Sequence, residues 1–150
     1  MIRQFKFEDE VHQSLGCVPM AVRRKLDRIG VKLSLAQWQQ LGQGERLAIC
    51  HLPVADEAEC DAVRTFVQEA VQNRCGVGTK ELSAEIRRAA DPPMTPPATL
   101  VERASAIGVA LGQADWDRLD ADERYALIKL GGGADASHNL PAALHELLLR

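Results

Sequence analysis

The chain has 150 residues, 46% of them apolar and 26% charged, with a net charge of −3. That length suits one domain or two, and the composition is ordinary for a soluble globular protein. The negative balance excludes a nucleic-acid binder working by bulk charge, and no run approaches the ~18 apolar residues a membrane helix needs.

The opening MIRQFKFEDEVHQ lacks the apolar core of a signal peptide. The four cysteines (Cys17, Cys50, Cys60, Cys75) have no CxxC spacing, so they read as free thiols of a reducing cytoplasm. Residues 1–18 form an N-terminal arm. Phe5-Lys6-Phe7 is a short alternation that suits extended backbone, and Phe7, Val11 and Leu15 then make one helical stripe that Gly16 ends.

Pro19 fits the first turn of a helix. Val22, Leu26 and Ile29 share its inner face, and Gly30 follows as a left-handed cap. Val31-Lys32-Leu33 is an extended link. Ser34-x-x-Gln37 is a capping box that opens a short helix with Leu35, Trp38 and Leu41 inward. Gly42 and Gly44 break it, and a new helix carries Glu45-Arg46 in its first turn. Pro53 stops that helix. Asp56-x-x-Glu59 then opens a long one, with Cys60, Val63, Phe66, Val67, Ala70 and Val71 inward and Gly76 at its end.

Ser83 to Ala90 reads as one short helix, and the proline-rich stretch 91–97 as a stiff extended strap. Beyond it the pattern returns. Sliding the sequence by 78 positions lays Pro97 on Pro19, Gly108 on Gly30, Leu111 on Leu33, Trp116 on Trp38, and Glu123-Arg124 on Glu45-Arg46. Asp120-x-x-Glu123 is again a capping box. Gly131-Gly132-Gly133 reads as a flexible loop. Asn139 caps a last helix with Pro141 in its first turn and Leu140, Ala143, Leu144, Leu147 and Leu148 as its stripe. No convincing strand pair emerges. The expected class is all-α: a compact helical domain of two similar multi-helix repeats (about 19–75 and 97–150) joined by a linker over 76–96, with approximate internal two-fold symmetry.

The repeats differ most in their first helix. Residues 19–32 carry Arg23, Arg24, Lys25, Arg28 and Lys32 against Asp27, a net of +4, whereas residues 97–110 carry only Glu102 and Arg103. Arg23, Arg24 and Arg28 lie opposite the apolar face and are expected to be mostly exposed. The face is either solvated surface or a partner or anion site built from Met20, Arg23, Arg24, Lys25, Arg28 and Lys32. In the second case guanidinium forks would meet carboxylates or a phosphate, with Met20 as an adaptable apolar contact.

Other chemistry has weaker signals. Neither His12 and Cys17, nor Cys50 and His51, nor His138 and His145 have the spacing of a metal site, so no metal or cofactor is expected. There is no GxGxxG, Walker loop, GxSxG or HExxH, and the expectation is a protein that is not an enzyme. A helix-turn-helix reading fails because the segment from Gly44 to Leu52 offers only Arg46 and His51 to a nucleic acid.

The run Cys17-Val18-Pro19-Met20-Ala21-Val22-Arg23-Arg24-Lys25-Leu26-Asp27, continued by Gly30-Val31-Lys32-Leu33 and Trp38, resembles the nitrate reductase-associated protein family. So do the Phe5, Phe7, Glu8 opening and the segment from Trp116 to Leu130. The resemblance spans nearly the whole chain. It implies a role in maturation or assembly of assimilatory, molybdenum-dependent nitrate reductase, with the reductase or a molybdenum-cofactor synthesis protein as partner. It carries over no catalytic residues. A different class stays open: a sensor holding nitrate or a pterin phosphate at the basic helix, aided by the helix dipole near Pro19.

Overall fold

A computed structural model describes residues 2–149. Its elements in order are a 3-10 turn at Lys6–Glu8, then α1 (Asp9–Ser14), α2 (Met20–Ile29), β1 (Val31–Lys32), α3 (Leu35–Gln40), α4 (Gln43–His51), α5 (Glu57–Cys75), β2 (Lys80–Glu81), α6 (Ala84–Ala89), α7 (Ala98–Ala106), α8 (Gln113–Asp117), α9 (Ala121–Gly131) and α10 (Leu140–Leu148). The structure is mostly helical. Among the described residues it divides into two compact units, one of residues 2–4 and 8–90 and one of residues 5–7 and 91–149.

In the first unit α2 packs on α4, α5 and α6, and α3 packs on α5. Val22, Leu26 and Ile29 from α2 join Trp38, Ile49, Val63, Val67 and Val71 in one core. Local chemistry sets the helix starts. The Ser34 hydroxyl accepts from Gln37 N at 3.1 Å while Gln37 Oε1 accepts from Ser34 N at 3.0 Å, and Asp56 accepts from Glu59 N at 2.8 Å. Two inward assignments need correction. Leu35 is 50% exposed, because it is the first residue of α3, one turn ahead of the buried Trp38. Phe66 is only half-buried, on the flank of the stripe through Val63, Val67 and Val71.

The ends of two elements also differ from expectation. α1 stops at Leu15, not at Gly16: Leu15 adopts φ +53°, and its N–H bonds Val11 O at 2.7 Å. A left-handed leucine is costly in isolation. Here its side chain is buried and its carbonyl accepts from Trp38 Nε1 at 2.8 Å, so tertiary contacts fix it. The strand pair absent from the sequence reading is present: β1 and β2 pair antiparallel, with Val31 opposite Glu81 and Lys32 opposite Lys80. Leu82 N extends the ladder by bonding Gly30 O at 2.8 Å. Two residues per strand are too few to show a period.

In the second unit α7 and α10 pack on α9. Gly131 is the last residue of α9 and is buried, not part of a flexible loop. A Cβ there would sit 2.7 Å from Leu100 and 2.9 Å from Leu140, so glycine lets the neighbouring leucines close on the helix. Asn139 occupies the N-cap position of α10 but makes no side-chain cap bond. Phe5 is fully buried in this unit and stacks on Phe7 with ring centroids 5.2 Å apart. Phe7 N donates to Glu146 Oε1 at 3.1 Å.

Matching hydrogen bonds recur in the two units. Trp38 Nε1 donates to Leu15 O and Trp116 Nε1 to Pro93 O, in each case a carbonyl 23 residues earlier. Arg46 Nε bonds Trp38 O at 3.1 Å, and Arg124 Nε bonds Trp116 O at 3.0 Å. Glu45 accepts from Gly42 N and Glu123 from Asp120 N.

Candidate functional site

The basic helix α2 begins without a capping side chain of its own, since Pro19 stands at its N-cap. Glu8 supplies the acceptor from upstream: its carboxylate receives Met20 N at 3.1 and 3.3 Å. His12 Nε2 lies 3.1 Å from Glu8 Oε1. Glu8 is only 8% exposed. The anion that meets this helix end is therefore the chain's own carboxylate, and the dipole invoked for an external ligand is already answered.

Burial pushes the Glu8 carboxyl above the ordinary carboxylate value of 4.5, against the lowering pull of Met20 N–H, His12 and Arg23. A raised folded pKa means a contribution to stability that is full below the unfolded value and lost as pH rises through the folded one. Wild type should therefore gain in stability on a Glu8→Gln variant as pH falls from 7 toward 4.5. Urea unfolding of both proteins across that range measures it, and parallel curves would contradict it.

The cations of α2 mostly serve the fold. Lys25 is half-buried and its Nζ donates to Ile49 O at 3.2 Å, Cys50 O at 2.7 Å and Leu52 O at 2.7 Å. These are the terminal carbonyls of α4, which have no helical partner. Arg24 Nε donates to Ala90 O at 2.8 Å, just past α6, and Arg28 Nη2 to Ala55 O at 3.2 Å. Both are half-buried, so the expected exposure holds only for Arg23, whose Nε reaches Val18 O at 3.3 Å. Met20 is half-buried and Lys32 is exposed. The fold thus spreads the six candidate residues along and beyond α2, with Lys32 on β1.

Three further cations lie at the other end of α2. Arg64 Nε donates to Ile29 O at 2.7 Å and Arg87 Nε to Arg28 O at 3.2 Å, which satisfies the last carbonyls of the helix. Arg64 also pairs with Asp61. Gly30 follows with φ +77°, and a Cβ there would lie 2.7 Å from Arg87 Cδ, so the arginine stem crosses directly over the turn. Lys80 then faces Lys32 across the ladder. Sequence reasoning missed all three. One signal bore on Lys25 itself: Arg103 matches it at the 78-residue offset, and Arg103 donates to the carbonyls of Gly131 at the end of α9 and of Gly133 and Ala134 just past it.

Elsewhere, Lys6, Phe7, His145, Glu146 and Leu149 line an open cavity of about 500 Å³ in the second unit. Among the described residues no three His, Cys, Asp or Glu side chains group to hold a metal. Among the same described residues no helix is long and apolar enough to cross a membrane.

A family model described as conserved nitrate reductase-associated protein matches residues 4–147. No curated protein and no solved structure matches the chain.

Proposed function

The chain belongs to the conserved nitrate reductase-associated protein family, and from that premise we propose that it assists maturation or assembly of assimilatory, molybdenum-dependent nitrate reductase through protein–protein contacts. It acts in the cytoplasm and is not an enzyme. The family match over nearly the whole chain is the observation that carries this reading. The bonding of α2 is consistent with it: Lys25, Arg24 and Arg28 each donate to backbone carbonyls of neighbouring segments.

The alternative, a sensor of nitrate or a pterin phosphate at the head of α2, is disfavoured because Glu8 already occupies that position. Nitrate reductase, or a molybdenum-cofactor synthesis protein, should be retained on the immobilised full chain at micromolar concentration. Cells lacking the gene should lose nitrate reductase activity. Full activity without the gene, together with no retention, would sink the proposal.

Internal repetition belongs to the same reading. The two tryptophan bonds, the two arginine bonds to the tryptophan carbonyls, and the parallel tasks of Lys25 and Arg103 support two copies of one module.

A further inference from the structure

We propose that the solvent face of the β1–β2 ladder, formed by Lys32 and Lys80 and flanked by Arg87, is the docking point for an acidic segment of a partner protein. The inference rests on the reading that this protein works through protein contacts, and it moves the contact point off the body of α2.

Lys32 and Lys80 are directly opposite in the ladder. Residues so paired have Cβ atoms about 5 Å apart, and like charges in that arrangement destabilise a sheet. Both lysines are exposed, and neither ammonium makes a hydrogen bond or ion pair among the described residues. Their side-chain charges gain nothing from being placed together. The carboxylates on the same elements do not neutralise them: Glu81 stands opposite Val31, one pleat away, and Glu85 lies in the first turn of α6.

Arg87 adds a third charge. Its Nε is tied to Arg28 O and its stem lies against Gly30, two residues before Lys32. Its two terminal nitrogens bond nothing among the described residues. The C-terminal dipole of α2 amounts to about half a negative charge, which Arg64 and Arg87 already meet through their Nε atoms. The remaining donors are the Arg87 terminal nitrogens and the ammonium groups of the exposed Lys32 and Lys80. Carboxylates carried in series on a protein segment match that layout, and guanidinium and ammonium donors both bond them with charge assistance.

The test uses the full chain and a fluorescein-labelled oligoglutamate peptide, read by anisotropy. The peptide should bind, weaken as salt rises, and lose about tenfold in affinity to a Lys32→Glu/Lys80→Glu variant. Thermal melting of that variant should be little changed, because the ladder exchanges one like-charge pair for another. A Lys6→Glu/Arg118→Glu variant makes the same charge change in the second unit and should bind as wild type does. Failure of the peptide to bind, or equal binding by both variants, would overturn the proposal. So would tighter binding of inorganic phosphate alone, or of a labelled single-stranded oligonucleotide. The same variants in the nitrate reductase pull-down separate the two ideas. Reductase held equally by wild type and the ladder variant overturns the docking point and leaves the reading standing. Retention of neither the reductase nor a cofactor-synthesis protein by either form, together with full activity in cells lacking the gene, overturns the reading, and the peptide titration still decides the ladder.

Discussion

Trp116→Ala should destabilise the second unit by about 3–5 kcal/mol, the range for deleting a large buried aromatic. Trp116 is fully buried, so the substitution leaves a cavity. It also removes the indole donor held by Pro93 O at 2.9 Å. The Arg124 guanidinium, 5.7 Å from the ring centroid, loses its cation–π partner as well. Urea unfolding followed by circular dichroism gives the cost. Trp38 is then the remaining tryptophan, and its emission reports the first unit. Trp38→Ala should cost a similar amount in the first unit, since that indole is also fully buried and bonds Leu15 O. A loss below about 1 kcal/mol in either variant would mean that the tryptophans fill space the surrounding side chains can reclaim.

Lys25→Met should cost about 2–4 kcal/mol, far more than a surface lysine, for which changes usually stay within about 0.5 kcal/mol. Methionine keeps the apolar stem but removes the ammonium that serves Ile49, Cys50 and Leu52 carbonyls. Those groups sit at the end of α4 beside buried residues, where an unmet acceptor keeps its full desolvation cost. Lys25→Arg should recover most of the loss, because Arg103 performs the same task in the second unit. A second readout is the Cys50 thiol. Burial pushes it up and the charge of Lys25 holds it down, so Lys25→Met should slow its alkylation further. A Met variant as stable as wild type would show that water replaces the ammonium.

What was legible in the sequence was local. Ser34, Asp56 and Asp120 announce helix starts because a capping side chain acts within three residues of itself. Gly30 announces a helix end for the same reason. The inner face of α2 followed from its period, which a ten-residue helix is long enough to display. What was not legible depends on partners far along the chain. Leu15 takes a left-handed backbone because of Trp38, and the β1–β2 ladder joins residues about fifty positions apart through strands too short to carry a pattern. The candidate site divides in the same way. The cations of α2 were visible as a charged face, but their acceptors lie on α4, on the segment after α6 and before α5. Lys80, alone in a linker, gains its meaning only when Lys32 is set opposite it.

The placement of Phe5–Phe7 in the second unit bears on how the protein is made. Phe7 leaves the ribosome 139 residues before Glu146, whose carboxylate receives its N–H. At synthesis rates of about 5–20 residues per second that interval is roughly seven to thirty seconds. The helices of the first unit emerge early and can assemble during it, while two aromatic side chains wait for α10. During that time Phe5 and Phe7 are exposed apolar surface on a nascent chain, suited to capture by a holding chaperone. A bulky fusion close to Phe5 would then be felt in the last helix to be synthesised.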